Sequence, residues 1–337
     1  LSKILKSHNQ VETFNPVTDY LNALEGKWKG ENTIEKLCSY VKVREFGDKP
    51  ENDYYQKRLV RIFKKWMAAC IACSLGDKPN DAVFGLIHSK EGVGKTTFIN
   101  NLVPEVLYDY SRTVNKQNID YDISETFTKN FMVLFEDNAG LTCSNAEPIK
   151  AALSARDFNV KRYFSVKKSR IANCALTSNK TNEMGGFLIS ELGTRRWALV
   201  EIEDIDHQYS KVIDVDQLWA EAYVLYKTAD FDYVWGQKDF EEFAEYNARY
   251  TIETQSKKLI REYYRHPTAD DKEEDIEIKQ SIEIMQDLRK ARKITTSMTN
   301  VSEVTIGIAL TQLGYERTSK RNNKTYSHYG YYVVKLY

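Results

Sequence analysis

Apolar residues recur every three or four positions between 55 and 75, where Leu59, Ile62, Phe63, Trp66, Met67 and Cys70 share one face. That spacing predicts a long helix with a buried stripe. Upstream, Asn15-Pro16-Val17 opens a short helix over 18–24 that stops near Gly26. From 82 to 205 the pattern changes to short, mostly apolar runs at 83–87, 131–135, 171–177 and 197–202, which read as buried strands. Stretches near 96–107 and 145–154 read as helices. Alternating strand and helix predicts an α/β fold with a mostly parallel sheet, in which ligands gather at the carboxyl ends of the strands.

Beyond 205 the alternation stops. Residues 215–227 and 239–264 read as helices, Pro267 interrupts, and Asp270, Asp271, Glu273, Glu274 and Asp275 mark a solvated acidic stretch. Two further helices, at 281–288 and 302–313, are followed by strand-like segments at 315–319 and 325–336 joined through Arg321-Asn322-Asn323-Lys324. Helices followed by a basic hairpin are the order of a winged helix. One reading is duplex DNA contact, with a helix in a groove and the wing on phosphates. The other is a protein-interaction or capping module. The expected organisation is an N-terminal helical subdomain (1–76), a core (77–205), a helical extension (206–266), an acidic linker (267–280) and a winged-helix-like domain (281–337).

Composition adds limits. The 337 residues carry no net charge, so any nucleic-acid binding must come from local patches. The cysteines, Cys38, Cys70, Cys73, Cys143 and Cys174, are odd in number and scattered, which fits a reducing, cytoplasmic compartment. Cys70 and Cys73 form a C-x-x-C inside a helical apolar run with no second pair, which favours core packing over a redox or zinc role. No apolar run approaches the ~20 residues of a membrane span, and no signal peptide is visible. The chain starts at Leu1 with no methionine, as a fragment of a longer protein would.

The candidate chemistry begins at Ser89-Lys90-Glu91-Gly92-Val93-Gly94-Lys95-Thr96-Thr97. Strand, glycine loop ending in Gly-Lys-Thr, then helix is the layout of a P-loop. Gly92 and Gly94 let backbone N–H groups curl around phosphates, and the helix beginning near Lys95 adds partial positive charge. Lys95 would reach the β/γ-phosphates of ATP, and the Thr96 hydroxyl would ligate Mg²⁺. Ser89 stands where the full pattern has its first glycine. An apolar strand ending in Glu136-Asp137 follows, as a Walker B pattern does. One acid would hold the Mg²⁺ shell and the other orient or deprotonate the attacking water. The first assignment is Glu136 to Mg²⁺ and Asp137 to water, with the reverse left open.

Three further groups complete the set. Ala175-Leu176-Thr177-Ser178-Asn179 is a third strand ending in a polar cluster. Where a strand is inserted between Walker A and B, an Asn here acts as sensor 1. The competing reading is a strand-end turn. Gly193-Thr194-Arg195-Arg196-Trp197 places two arginines before a strand, which suits an arginine finger acting on a neighbouring subunit's ATP. The alternative is a structural salt bridge. The run from Lys161 and Arg162 through Lys167, Lys168 and Arg170 has no acid in it, and alternation over 160–166 suggests a hairpin. Its cations would grip phosphates, and Tyr163 or Phe164 could stack on bases.

Asn15-Pro-Val-Thr-Asp-Tyr-Leu21, Trp28-Lys-Gly30, the P-loop, Asp137-Asn-Ala-Gly-Leu141, Lys150, Thr177-Ser-Asn179 and Gly193-Thr-Arg-Arg-Trp197 occur in the order seen in the virulence-associated protein E family. The chain resembles that family over about 10–230, and the family resembles superfamily 3 helicases and the helicase halves of phage and plasmid primase–helicases. The resemblance implies an AAA+-like ATPase core, a hexameric ring, single-stranded DNA and forked duplex as substrates, and replication of a phage or mobile element in a bacterial host. It also implies a primase–polymerase domain preceding such a helicase. By the same resemblance Lys95 and Thr96 belong to Walker A, Glu136 and Asp137 to Walker B, Asn179 to sensor 1 and Arg195 or Arg196 to the finger, and Lys150 opens the segment whose hairpin contacts DNA. Leu134 stands where many members carry an acid. Two other readings stay open: an ATP-regulated origin-recognition or loading factor without processive unwinding, and a protein-remodelling P-loop ATPase.

Overall fold

A computed structural model describes residues 15–115, 122–138, 146–161, 165–179, 187–189, 193–252, 254–268, 270–291, 301–322 and 326–336. The chain divides into two units, one ending at Thr251 and the other beginning at Ile252. In chain order the strands of the first are β1 (Val41–Val43), β2 (Val83–Ile87), β3 (Ser111–Val114), β4 (Met132–Phe135), the hairpin β5 (Asp157–Lys161) and β6 (Ser165–Ser169), β7 (Asn173–Ser178), β8 (Leu188–Ile189) and β9 (Trp197–Ile205). Six of them form a mixed sheet in the order β1-β9-β2-β7-β4-β3. β1 pairs antiparallel with β9 and the other pairings are parallel. β2, β4 and β7 bury every residue, and for that reason β2 and β4 read as apolar runs, while β7 carries Ala175 and Leu176 between polar ends. β7 lies between β2 and β4, with Phe84 beside Ala175 and Ala175 beside Leu134.

The helices of this unit are α1 (Pro16–Asn22), α2 (Thr33–Ser39), α3 (Tyr54–Ser74), α4 (Lys95–Asn100), α5 (Ile123–Lys129), α6 (Ala146–Ser154), α7 (Tyr209–Val212), α8 (Val215–Lys227) and α9 (Gln237–Asn247). Asn15 caps α1 by accepting from Thr18 N at 3.3 Å, and Pro16 occupies the first turn, where its missing N–H costs nothing. On α3, Phe63 and Trp66 pack against Phe84 of β2 with ring centroids 5.0 and 5.3 Å away. The same helix buries two cations, each paired. Arg58 Nε donates to Glu242 at 2.7 Å, and Lys65 Nζ lies 3.0 Å from Asp232 and 2.9 Å from Asp239. Unpaired, such charges would be strongly destabilising.

Several expected boundaries differ. Val17, Leu21, Phe63 and Trp66 share one core with Phe84, Leu218, Trp219 and Phe243, so the described parts of the expected N-terminal subdomain (15–76) and of 206–251 are not separate from 77–205. An amphipathic helix needs a partner layer to bury its stripe, and the sheet supplies it. The helix expected over 96–107 stops at Asn100, and a 3₁₀ turn (Glu105–Tyr110) follows Pro104, which lacks the N–H to continue an α-helix. β3 was missed because Ser111-Arg112-Thr113 is polar. The expected helix 239–264 is α9 and a second helix, separated by a turn at Ala248–Tyr250.

The two-residue β10 (Thr251–Ile252) falls at the division between the units. The second unit contains α10 (Gln255–Tyr263), β11 (Tyr264–Arg265), β12 (Ile276–Lys279), α11 (Ser281–Lys290), α12 (Glu303–Gln312), β13 (Arg317–Asn322) and β14 (Tyr326–Lys335). β14 pairs antiparallel with β11, β12 and β13. Leu259, Ile260, Ile284, Leu288, Ile306 and Leu310 belong to its own core. The stretch 267–280 is therefore part of this unit and not a linker. Arg265 grips Asp271 with both nitrogens, holding its carboxyl well below the usual range, and the alternation of Ile276-Glu277-Ile278-Lys279 makes a half-buried strand.

Candidate nucleotide-binding site

The loop between β2 and α4 turns on glycine. Gly92 (φ 77°) and Gly94 (φ 90°) sit in the left-handed region that side-chained residues rarely adopt. A Cβ on Gly94 would also meet the His207 ring at 2.3 Å, so the glycine admits the segment that follows β9. His88 Nδ1 accepts from Lys90 N at 2.9 Å and tightens the turn. Gly94 caps α4, leaving the first N–H groups of that helix open toward the loop.

Lys95 is 5% exposed, and its ammonium donates to Asn179 Oδ1 at 2.8 Å and to Lys90 O at 3.1 Å. Burial pulls its pKa below the ordinary lysine value, against the opposing pull of Asp137 and Glu91. Asn179 Nδ2 in turn donates to Asp137 Oδ1. Thr96 Oγ1 donates to Glu136 Oε1 at 3.0 Å. Asp137 has φ 49° and ψ 37°, a left-handed conformation for a non-glycine residue, which costs of order 1 kcal/mol or more. Lys95, Thr96, Glu136, Asp137 and Asn179 thus line one cleft of about 320 Å³, with Glu91, Gly92, Gly94 and Thr97 on its loop side. Ser89 is exposed in the turn, and Val93 packs against the core behind it.

A buried cation, loop N–H groups, a hydroxyl and two carboxylates suit a polyphosphate accompanied by a divalent cation. The oxygen donors Thr96, Glu136 and Asp137 fit Mg²⁺, which takes one or two carboxylates and completes its shell with phosphate oxygens and water. Among the described residues no group of three His, Cys, Asp or Glu converges that would build an all-protein metal cage.

One residue escaped the sequence reading as a site residue. Thr177 is 1% exposed, lines the cleft, and its hydroxyl has no hydrogen-bond partner. The available signal was a hydroxyl in an apolar strand two residues before Asn179.

Arg195 and Arg196 lie elsewhere. Arg196 O accepts from Val83 N at the start of β2, so both arginines sit at the opposite end of the sheet from the cleft. Arg195 is exposed. Arg196 Nη1 lies 3.3 Å from Asp81 Oδ1, an ion pair without hydrogen-bond alignment, and its guanidinium sits 5.9 Å from the Phe240 ring centroid.

β5 and β6 pair antiparallel from Asp157 opposite Ser169 to Lys161 opposite Ser165, while Arg162 lies outside the described residues. Lys168 is exposed. Lys167 is exposed too, but Asp157 across the hairpin pairs with it at 2.9 Å. Arg170 corrects the expectation of a DNA contact. It is 1% exposed, and its guanidinium donates to Ala172 O at 3.0 Å, Asn80 O at 3.0 Å, Ala152 O at 3.2 Å and Leu153 O. Two of these, Ala152 O and Leu153 O, are carbonyls in the last turn of α6, where a buried cation adds a partner. Cys38, Cys70, Cys73 and Cys174 are free and buried, and burial pushes the Cys174 thiol up to about 12. Cys143 lies outside the described residues.

The model of the virulence-associated protein E-like domain matches residues 21–252, and the chain belongs to that family. No curated protein matches the chain. Similar solved structures include the apo C-terminal region of NrS-1, at 11% identity and TM-score 0.44 over 91% of this chain and 76% of that one. JCV helicase aligns at 12% identity and TM-score 0.34 over 68% of this chain and 66% of its own.

Two outcomes follow from the burial pattern. Thr177→Val leaves thermal stability of the nucleotide-free protein unchanged or raised, because it removes an unbonded buried hydroxyl, yet it weakens nucleotide turnover. A drop in melting temperature would show the hydroxyl bonded at home. Arg170→Met lowers unfolding free energy by about 3 kcal/mol in a denaturant titration by stranding carbonyls, whereas Lys168→Ala does not.

Proposed function

We propose that this chain is the ATP-hydrolysing subunit of a replicative DNA helicase, with a P-loop, AAA+-like core of the superfamily 3 kind. The observation that carries the reading is the insertion of β7 between β2 and β4, which sets Asn179 between Lys95 and Asp137. On nucleotide binding Lys95 exchanges its protein partners for β- and γ-phosphate oxygens, and the N–H groups around Gly92 and Gly94 take up the remaining phosphate charge. Thr96 and Glu136 would hold Mg²⁺, which would supply neutralisation of the charge that builds on the phosphates. The Thr96–Glu136 bond supports the reading of Glu136 on the metal side, and the Asn179–Asp137 bond supports Asp137 on the water side. Asp137 takes a proton from that water as its oxygen bonds to the γ-phosphorus, and the bond to the bridging oxygen breaks to release ADP and phosphate. Asn179 holds the water and the γ-phosphate in line.

An exposed arginine at the far end of the sheet serves only a neighbouring subunit's nucleotide. Arg195 is the finger in this reading, since Arg196 is committed to Asp81. The active form is then a ring, taken as a hexamer from the family, acting in a bacterial host cytoplasm. The β5–β6 hairpins face the channel, where Lys161, Arg162, Lys167 and Lys168 grip single-stranded DNA. The second unit, with helix, strand, two helices and hairpin in order, is winged-helix-like.

ATPase rate with and without single-stranded DNA, run beside unwinding of a forked duplex, tests this. Stimulation with unwinding is expected. Lys95→Ala abolishes the rate, and Arg195→Ala keeps nucleotide binding while lowering turnover by about 10³-fold. DNA-indifferent ATPase activity without unwinding would favour a recognition, loading or protein-remodelling role. Full turnover by Arg195→Ala would remove the finger assignment.

A further inference from the structure

The cleft accounts for one end of a nucleoside triphosphate and leaves the other end without a seat. Lys95, Asn179 and Asp137 gather where β2, β7 and β4 end, and Glu136 lies on the same side. In the P-loop reading, on which this inference rests, the β- and γ-phosphates occupy that side. The sheet order is β9-β2-β7-β4, so β9 flanks β2 on the side away from the two acids. β9 runs parallel to β2, with Ile87 beside Glu201, and its carboxyl end opens at the same edge of the sheet. A nucleoside carried on the α-phosphate therefore leaves across the loop at Gly94, toward the chain that follows β9.

That chain is pinned on both sides of one residue. Asp206 N donates to Tyr40 O at 2.8 Å, and the Asp206 carboxylate turns back to accept from Gln208 N at 2.9 Å. Tyr209 is 3% exposed. Its ring centroid lies 5.3 Å from that of Phe98 on α4, and its hydroxyl accepts from Asn101 Nδ2 at 3.1 Å. His207, held between these anchors, is exposed. Of its ring atoms Cε1 comes nearest to the place a Cβ on Gly94 would take, and Nδ1 and Nε2 follow at 3.2 Å each. An approach through Cε1 with both nitrogens equally distant and farther off is edge-on. The imidazole meets the loop with its rim, and neither flat face is spent on Gly94.

We infer that His207 is a specificity-determining residue of the nucleotide site, its imidazole face being the platform on which the nucleobase of the bound triphosphate stacks. Every base has a π-face, so such a platform favours a nucleoside triphosphate over inorganic polyphosphate, and a large purine ring over a pyrimidine, without reading the edge of the base. The bonds of Asp206 and the packing of Tyr209 fix the backbone from which the ring projects, so the platform is in place before the ligand arrives. Gly94 then serves two ends: it lets the loop turn, and it leaves room for the rim of the platform.

The test is calorimetric titration of the full chain and of its His207→Ala and His207→Asn variants with ATP, CTP and inorganic tripolyphosphate, each with Mg²⁺. Both variants bind ATP about 10-fold more weakly, as loss of one base–aromatic stack does. Both lose less toward CTP and nothing toward tripolyphosphate. Tripolyphosphate reports the phosphate loop alone, so its retention also shows that the variants are folded. Lys95→Ala, by contrast, weakens all three ligands. Unchanged ATP affinity in both variants would overturn the inference while leaving the P-loop reading intact. So would an equal loss toward tripolyphosphate, which would place the ring on a phosphate, or full affinity in His207→Asn alone, which would make the contact a hydrogen bond. A wild-type chain that binds neither ATP nor tripolyphosphate would overturn the P-loop reading and this inference with it.

Discussion

The parallel register of β2, β7 and β4 is the constraint on which the cleft depends. Leu86 lies beside Thr177 and Phe135 beside Leu176, so the three strands end nearly level. Because side chains alternate along a strand, a slip of one residue in β7 would exchange Thr177 with Ser178 and turn the chain leading to Asn179 the wrong way. Lys95 and Asp137 follow β2 and β4, which do not pair with each other, and Asn179 at the end of β7 bonds both. The buried apolar runs of these strands supply the energy that fixes this register.

Charge inside the first unit is spent on holding helices to the sheet. Arg58 of α3 reaches Glu242 and Leu199 O, and its guanidinium lies 3.9 Å from the Tyr246 ring centroid. Glu201, 3% exposed on β9, accepts from Arg44 at 2.6 Å and from Tyr250 at 2.7 Å. Arg170 plays a similar part at the end of α6. These groups are cations and anions to the sequence but fasteners to the fold. Lys95 differs, because its ammonium is buried against an amide and a carbonyl.

Much of this was legible in the chain. β2, β4, β7 and β9 were visible because parallel strands buried on both faces are mostly apolar, and α3 because its stripe repeats over many turns. The glycine loop was visible because only glycine takes the φ values at positions 92 and 94. What was not legible depended on partners distant in sequence. β3 is polar and becomes a strand only beside β4. The acidic stretch hid β12, whose pairing lies with β14 more than fifty positions away. Arg170 stands in the same basic run as Lys167 and Lys168, and nothing local separates a cation that caps α6 from one that faces solvent. The domain boundaries failed for the same reason, since helices before and after the sheet share its core.

The most direct test of the account is the Asn179→Ala variant, followed by nucleotide binding and by phosphate release under single-turnover conditions. If Asn179 links Lys95 to Asp137 as described, the variant binds nucleotide while phosphate release falls by about 10²-fold, as when one preorganised polar group is removed from a reacting centre. Release at the wild-type rate would mean that this side chain only closes a strand end, and the central assignment would be wrong.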